Sequence, residues 1–145
     1  MKKNDILISG YYGFKNTGDE AILASILDAL KKIEPELNIK ILSVNPSLTE
    51  KEHNVPSIHR YRPEMFYALL ESRMLISGGG GLLQDSTSIR SPLYYLAMVL
   101  LAKLTGKKVM FYAQGIGPLK TFTGKALTSY IANMVDFITV RDEKS

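Results

Sequence analysis

Three glycine-rich stretches hold the polar residues of this sequence that could do chemistry: "GYYGFKNTGDE" (10–20), "SGGGGLLQDSTSIRS" (77–91) and "AQGIGPLK" (113–120). In the first, Gly13 and Gly18 have the spacing of a phosphate-cradling loop, but Asp19 and Glu20 follow where such a loop places Lys and Ser or Thr. Two carboxylates there would repel a phosphate, which excludes a Walker-type nucleotide site. Gly10, Gly13 and Gly18 also miss the dinucleotide pattern. Glu20 fits a capping box with Thr17 as N-cap, and this structural role is the favoured one. Asp19 is freer. Beside Tyr11, Tyr12 and Asn16 it makes a cleft of aromatic platforms and hydrogen-bonding groups that suits a carbohydrate, and a carboxylate there could take a proton from an attacking hydroxyl.

The second stretch has four consecutive glycines, Gly78–Gly81, more than a compact turn requires. Such a run lets main-chain N–H groups approach a ligand and form an anion nest. Gln84, Asp85, Ser86, Thr87, Ser88 and Arg90 follow as a dense set of donors and acceptors. Ser91 reads first as a helix N-cap. Arg90 suits a bidentate grip on carboxylate or phosphate, with a surface salt bridge as the even alternative. In the third stretch Gln114, next to Gly115, is placed to bond a sugar hydroxyl or to tie down its own loop.

The elements that must position these loops are legible in the periodicity. Strands are expected over 5–9, 38–44, 73–77, 108–113 and 136–140, and helices over 19–34, 63–71, 92–104 and 122–134. The polar stretch 45–60, with two prolines, reads as a loop holding one short helical turn. Alternating strands and helices predict an α/β fold: a Rossmann-like, doubly wound, mostly parallel sheet with helices on both faces. All three glycine loops then fall on the carboxyl edge of the sheet, where open α/β sheets bind ligands, and Arg141 follows the last strand on the same edge.

Composition agrees with one ordinary globular domain over 1–145: 145 residues, 46% hydrophobic, 22% charged, net charge +4. There is no cysteine, hence no disulfide framework and no thiolate metal site. The start, "MKKNDILISG", is too short in apolar residues for a signal peptide, which fits a cytoplasmic setting. Residues 101–145 hold seven Lys or Arg against three acids. That basic third could meet phosphates, anionic lipid or nucleic acid, or be a solvated face. His53 and His59 read as lone surface residues, and no metal site is expected. The apolar run Leu93–Ala102 is too short to span a bilayer. Packing against sheet and neighbouring helix is its favoured role; a membrane-facing or interdomain surface with Lys103, Lys107 and Lys108 is the alternative.

Taken together and in order, "GYYGFKNTGDEAIL", "SGGGGLLQDSTSIRSPLYY", "AQGIGPL" and "TVRDEKS" resemble the polysaccharide pyruvyl transferase family, nearest its bacterial cell-wall CsaB-like branch. The resemblance implies a GT-B-like two-domain enzyme with phosphoenolpyruvate as donor substrate and no cofactor. It installs a pyruvate ketal on a sugar, N-acetylmannosamine by type, of a lipid-linked precursor of secondary cell-wall polymer. The charged product anchors surface-layer proteins. The setting implied is cytoplasmic, at the inner face of the membrane, with a peripheral membrane contact and no nucleic acid as partner. Family members are about twice this length, and their donor-gripping residues belong to the second domain. The chain is therefore expected to be the N-terminal, acceptor-side half, inactive alone. Acceptor positioning falls to Tyr12, Gly13, Asn16, Glu20, Gly79, Gly80, Gly81, Gln84, Asp85, Ser88, Arg90, Gln114 and Gly115. Asp19 is the candidate base, and Arg141 the anion contact across the cleft. A GT-B glycosyltransferase half using a nucleotide sugar and a non-catalytic carbohydrate-binding module remain the alternatives.

Overall fold

The structure, a computed structural model, describes residues 5–78, 90–114 and 122–140. Six strands alternate with five helices in this part: β1 (Ile6–Ser9), α1 (Thr17–Ile33), β2 (Ile39–Ser43), α2 (Pro46–His53), β3 (Ser57–His59), α3 (Glu64–Glu71), β4 (Met74–Gly78), α4 (Arg90–Leu104), β5 (Lys108–Gln114), α5 (Phe122–Ala132) and β6 (Phe137–Val140). The strands form one sheet in the order β3-β2-β1-β4-β5-β6, and every pair is parallel. The chain thus builds outward from β1 in one direction and restarts from β4 in the other. The carboxyl ends of β1 and β4 flank the crevice where the winding reverses.

Period-2 alternation sorts the strand side chains between two cores. Ile6, Ile8, Ile41 and Ile76 meet Leu23, Ile26 and Leu27 of α1 on one face. Leu7, Leu42, Leu75, Val109 and Phe111 meet Ala68 and Leu69 of α3 and Tyr95, Leu96, Val99 and Ala102 of α4 on the other. Near-continuous apolar strands are what a sheet covered on both faces requires. The same burial identifies the apolar run of α4 as a core helix. Gly106, at φ +77, ends it, with the N–H groups of Gly106 and Lys107 returning to Lys103 O and Ala102 O.

Two expectations are corrected. The stretch 45–60 is not a loop with a single turn; it holds α2 and the edge strand β3. Its first proline starts a helix, because Pro46 stands at N1 behind the cap Asn45, whose Oδ1 accepts from Leu48 N–H. Asn54 ends that helix in the left-handed region at φ 56, and β3 is only three residues long. Second, the N-cap of α1 is Asn16, not Thr17: its Oδ1 accepts from Asp19 N–H at 3.2 Å. Glu20 therefore lies one position past the capping-box site.

At the far edge, Asp136 just before β6 holds three elements. Its Oδ2 accepts from Lys103 Nζ and from Val109 N–H, both at 2.8 Å, and Oδ1 lies 3.6 Å from Lys108 Nζ. The Lys103 bond and then the Val109 bond hold its carboxyl below the usual range. A carboxyl with a depressed folded pKa stabilises fully above the ordinary carboxylate range and loses that contribution as pH falls through the folded value. Asp136→Asn should accordingly lower the thermal midpoint at neutral pH and cost progressively less in acid. Melting curves of the two proteins that stay equally far apart down to the acid limit would refute this.

Candidate functional site

The glycine stretch 10–20 leaves β1 at the switch point and folds back against the ends of β2 and β4. Tyr12 is fully buried, and its hydroxyl donates to Gly78 O at 2.7 Å. A Cβ on Gly10 would collide with that ring and with Gly78 O, and one on Gly78 would come within 2.5 Å of Ile26 Cδ1. Glycine at both strand ends is therefore what admits the phenol. Burial, then the charges of Asp19, Tyr95 and Glu20, push the Tyr12 pKa well above its ordinary value, so it remains a donor. Tyr12 is not the exposed platform expected from the sequence. The stacked pair in this loop is Tyr11 and Phe14, with ring centroids 3.8 Å apart and planes 2° from parallel.

Gly13 adopts φ +84, and a Cβ there would run into Ser43 Oγ and lie 2.7 Å from Asn45 N. Its N–H donates to Glu20 Oε1 at 2.9 Å. The other oxygen of Glu20 lies 2.7 Å from His53 Nε2 at the end of α2. The expectation that His53 is a lone surface residue is thus wrong: its side chain is 8% exposed and holds Glu20, which holds the glycine loop. Glu20, Glu52 and His53 place one ligand atom each within 4.8 Å of one another, a grouping with metal-ligating chemistry that the sequence spacing does not reveal. Glu20 and Glu52 also line a depression of ≈ 570 Å³ with Lys15, Thr17 and Ala21. Asp19 is buried in the first turn of α1, close enough to Tyr12 for its charge to act on the phenol.

The residue that sequence reasoning missed is Arg60, directly after β3. It is 3% exposed. Nη1 donates to Gly10 O and Nη2 to Tyr95 Oη, each at 3.2 Å. Its guanidinium carbon lies 4.2 Å from the ring centre of Tyr94, 5.1 Å from Tyr61, 5.2 Å from Tyr95 and 5.6 Å from Phe14. Among the described residues no carboxylate pairs with it and Nε has no hydrogen-bond partner. Burial pushes the Tyr95 hydroxyl up to about 12, against the opposing pull of Arg60. "HRYRPEMFY" shows an arginine among aromatics, but the partners Gly10 and Tyr95 are 50 and 35 residues away, and only the fold supplies them.

The structure thus brings Tyr12, Gly13, Asn16, Asp19 and Glu20 together at the head of α1, next to Gly78. Arg90 opens α4 and Gln114 ends β5, on the same edge; their side chains lie outside the described residues. Ahead of Gln114 the pairing with β6 shifts register, and Ala113 takes φ 49, a bulge at the rim of the site. Gly79, Gly80, Gly81, Gln84, Asp85, Ser88, Gly115 and Arg141 lie outside the described residues.

A family model described as polysaccharide pyruvyl transferase matches residues 16–145. A comparison with curated proteins gives no match.

Tyr12→Phe keeps the ring and strands the Gly78 carbonyl. Chemical denaturation should show a loss of about 1–3 kcal/mol, the cost of an unpaired buried acceptor. A change within a few tenths would mean that the bond does not tie β1 to β4.

Proposed function

Because the chain belongs to the polysaccharide pyruvyl transferase family, we propose that it forms the acceptor side of an enzyme that moves pyruvate from phosphoenolpyruvate onto a sugar of a lipid-linked cell-wall precursor, as a ketal. One observation supports this most: a buried carboxylate, Asp19, sits at the switch-point crevice of an all-parallel sheet, where α/β folds bind ligands. The reaction needs a sugar hydroxyl to add to the central carbon of phosphoenolpyruvate while its methylene carbon takes a proton. The second hydroxyl then displaces inorganic phosphate and closes the ring. Asp19 accepts the proton of the attacking hydroxyl. The stacked Tyr11–Phe14 pair gives a sugar ring an apolar face to lie on, and Gln114 and Arg90 stand on the same edge.

Arg60 acts in this reading as a positioning residue. It fixes Gly10, where the loop bearing Asp19 departs, and lies against the ring of Phe14. Among the described residues no carboxylate pairs with its charge, which favours an anionic donor and a phosphate leaving group. The cations that grip the donor belong, in this proposal, to a second domain beyond this chain.

In the complete transferase, given phosphoenolpyruvate and a lipid-linked disaccharide, Asp19→Asn should reduce phosphate release by about 10²–10⁴-fold, with donor affinity unchanged. Unaltered turnover removes Asp19 as the base. The 145-residue chain alone should release no phosphate under the same conditions; release would overturn the assignment of donor binding to another domain.

A further inference from the structure

Glu20, Glu52 and His53 come from two helices and meet at one point. Glu20 stands in the first turn of α1, and Glu52 and His53 are the last two residues of α2. One ligand atom from each lies within 4.8 Å of the other two. The imidazole is the inner member, 8% exposed, with Nε2 2.7 Å from Glu20 Oε2. Glu20 Oε1 accepts from the Gly13 N–H, which fixes the orientation of that carboxylate. Glu52 is exposed and stands on the side of the depression that it lines with Glu20.

Two carboxylates this close repel, and among the described residues neither pairs with a lysine or arginine. Lys15 lines the same depression without an ion pair to either. A protonated imidazole sets one positive charge against two negative ones; a divalent cation balances both with the ring neutral. The last turn of α2 adds the carbonyl end of its dipole, which favours a cation. We propose that Glu20, Glu52 and His53 form a site for a divalent first-row transition ion of the Zn²⁺ type. One imidazole and two carboxylates suit such an ion better than Mg²⁺, which takes oxygen ligands. Tetrahedral bonds of about 2.1 Å set ligand atoms about 3.4 Å apart. That spacing lies between the 2.7 Å of the His53–Glu20 contact and the 4.8 Å limit of the group. The ring then carries its hydrogen on Nδ1 and gives the Nε2 lone pair to the ion, which replaces the proton joining the two side chains. A fourth position is left for water from the depression. The Gly13 N–H is the outer contact that orients Glu20 as a ligand, so the ion ties α2, the head of α1 and the glycine loop together. This inference stands on the three side chains and does not require the acceptor reading.

Calorimetric titration of the untagged 145-residue chain with Zn²⁺, beside thermal melting, tests it with no substrate present. One ion should bind per chain, and at about 100 times the dissociation constant it should raise the thermal midpoint by about 5 °C or more. Mg²⁺ at the same concentration should leave the midpoint unchanged. Glu52→Gln should weaken Zn²⁺ binding by about tenfold or more. Because Glu52 is exposed, this variant should keep the metal-free midpoint, which separates loss of the ion from loss of the fold. His59→Gln, at the other histidine, should bind as the wild type does. A wild-type chain that takes up no Zn²⁺, or a Glu52→Gln chain that binds it as tightly, overturns the proposal and leaves His53–Glu20 as a hydrogen bond only. Loss of binding in His59→Gln overturns it too, because the ion would then sit elsewhere.

Discussion

The fold's functional end depends on one wedge, the Tyr12 phenol held between two glycines. Gly10 and Gly78 end neighbouring strands that belong to the two oppositely wound halves of the sheet. Without a Cβ on either, the strands can part around an aromatic ring whose hydroxyl satisfies the last carbonyl of β4. The ring does more than fill space. It fixes the direction in which the chain leaves β1, and therefore where Gly13 docks on β2 and where the first turn of α1 begins. Ile26, against Gly78, anchors the same helix two turns later. The crevice that opens at a switch point in any such fold is here floored by a single side chain.

Arg60 ties the third side of that edge. A buried guanidinium normally needs a carboxylate, because desolvating a lone cation is costly. This one is held by a carbonyl, a phenolic hydroxyl and four ring faces, each contributing electrostatic attraction without cancelling the charge. Among the described residues no carboxylate neutralises it. It is also shared between segments distant in sequence: the glycine loop through Gly10 and Phe14, the end of β3, and α4 through Tyr94 and Tyr95. Tyr94 completes the clasp by donating its hydroxyl to Arg60 O.

What was legible in the sequence and what was not divides along range. Five of the strands and the long helices could be read because apolar periodicity is local, and that β1, β4 and β5 end on one edge follows from strand–helix alternation alone. Stretch 45–60 misled because its prolines look like breakers, whereas Pro46 is an N1 residue and Pro56 only precedes an edge strand. Glu20 looked like a capping residue for the same local reason. Its actual partners, Gly13 N–H and His53, are set by where α2 lands beside α1. Tyr12 and Tyr11 are adjacent and chemically alike. Which one turns inward depends on Gly78, sixty-six residues on. Arg60 stands among aromatics in the sequence, but its hydrogen-bond partners Gly10 and Tyr95 are set by the fold alone.

The two carboxylates that stand where a nucleotide loop has its cation divide their work. In a phosphate-cradling loop the main-chain N–H groups are left open for the ligand. Here the N–H of Gly13 is already donated to Glu20, and Glu20 is in turn held by His53, so that part of the loop is closed on itself as a support and is no anion nest. The support leaves Asp19, one residue earlier and on the buried side of α1, as the carboxylate of the pair turned toward the core beside Tyr12. An anion drawn to this edge would have to find its positive charge elsewhere; among the described residues Lys15 stands in the loop beside Glu20, and Arg60 holds the start of the loop at Gly10. The loop is thus held at both ends: Gly10 at its start accepts from Arg60, and Asp19 at its end is buried in the first turn of α1.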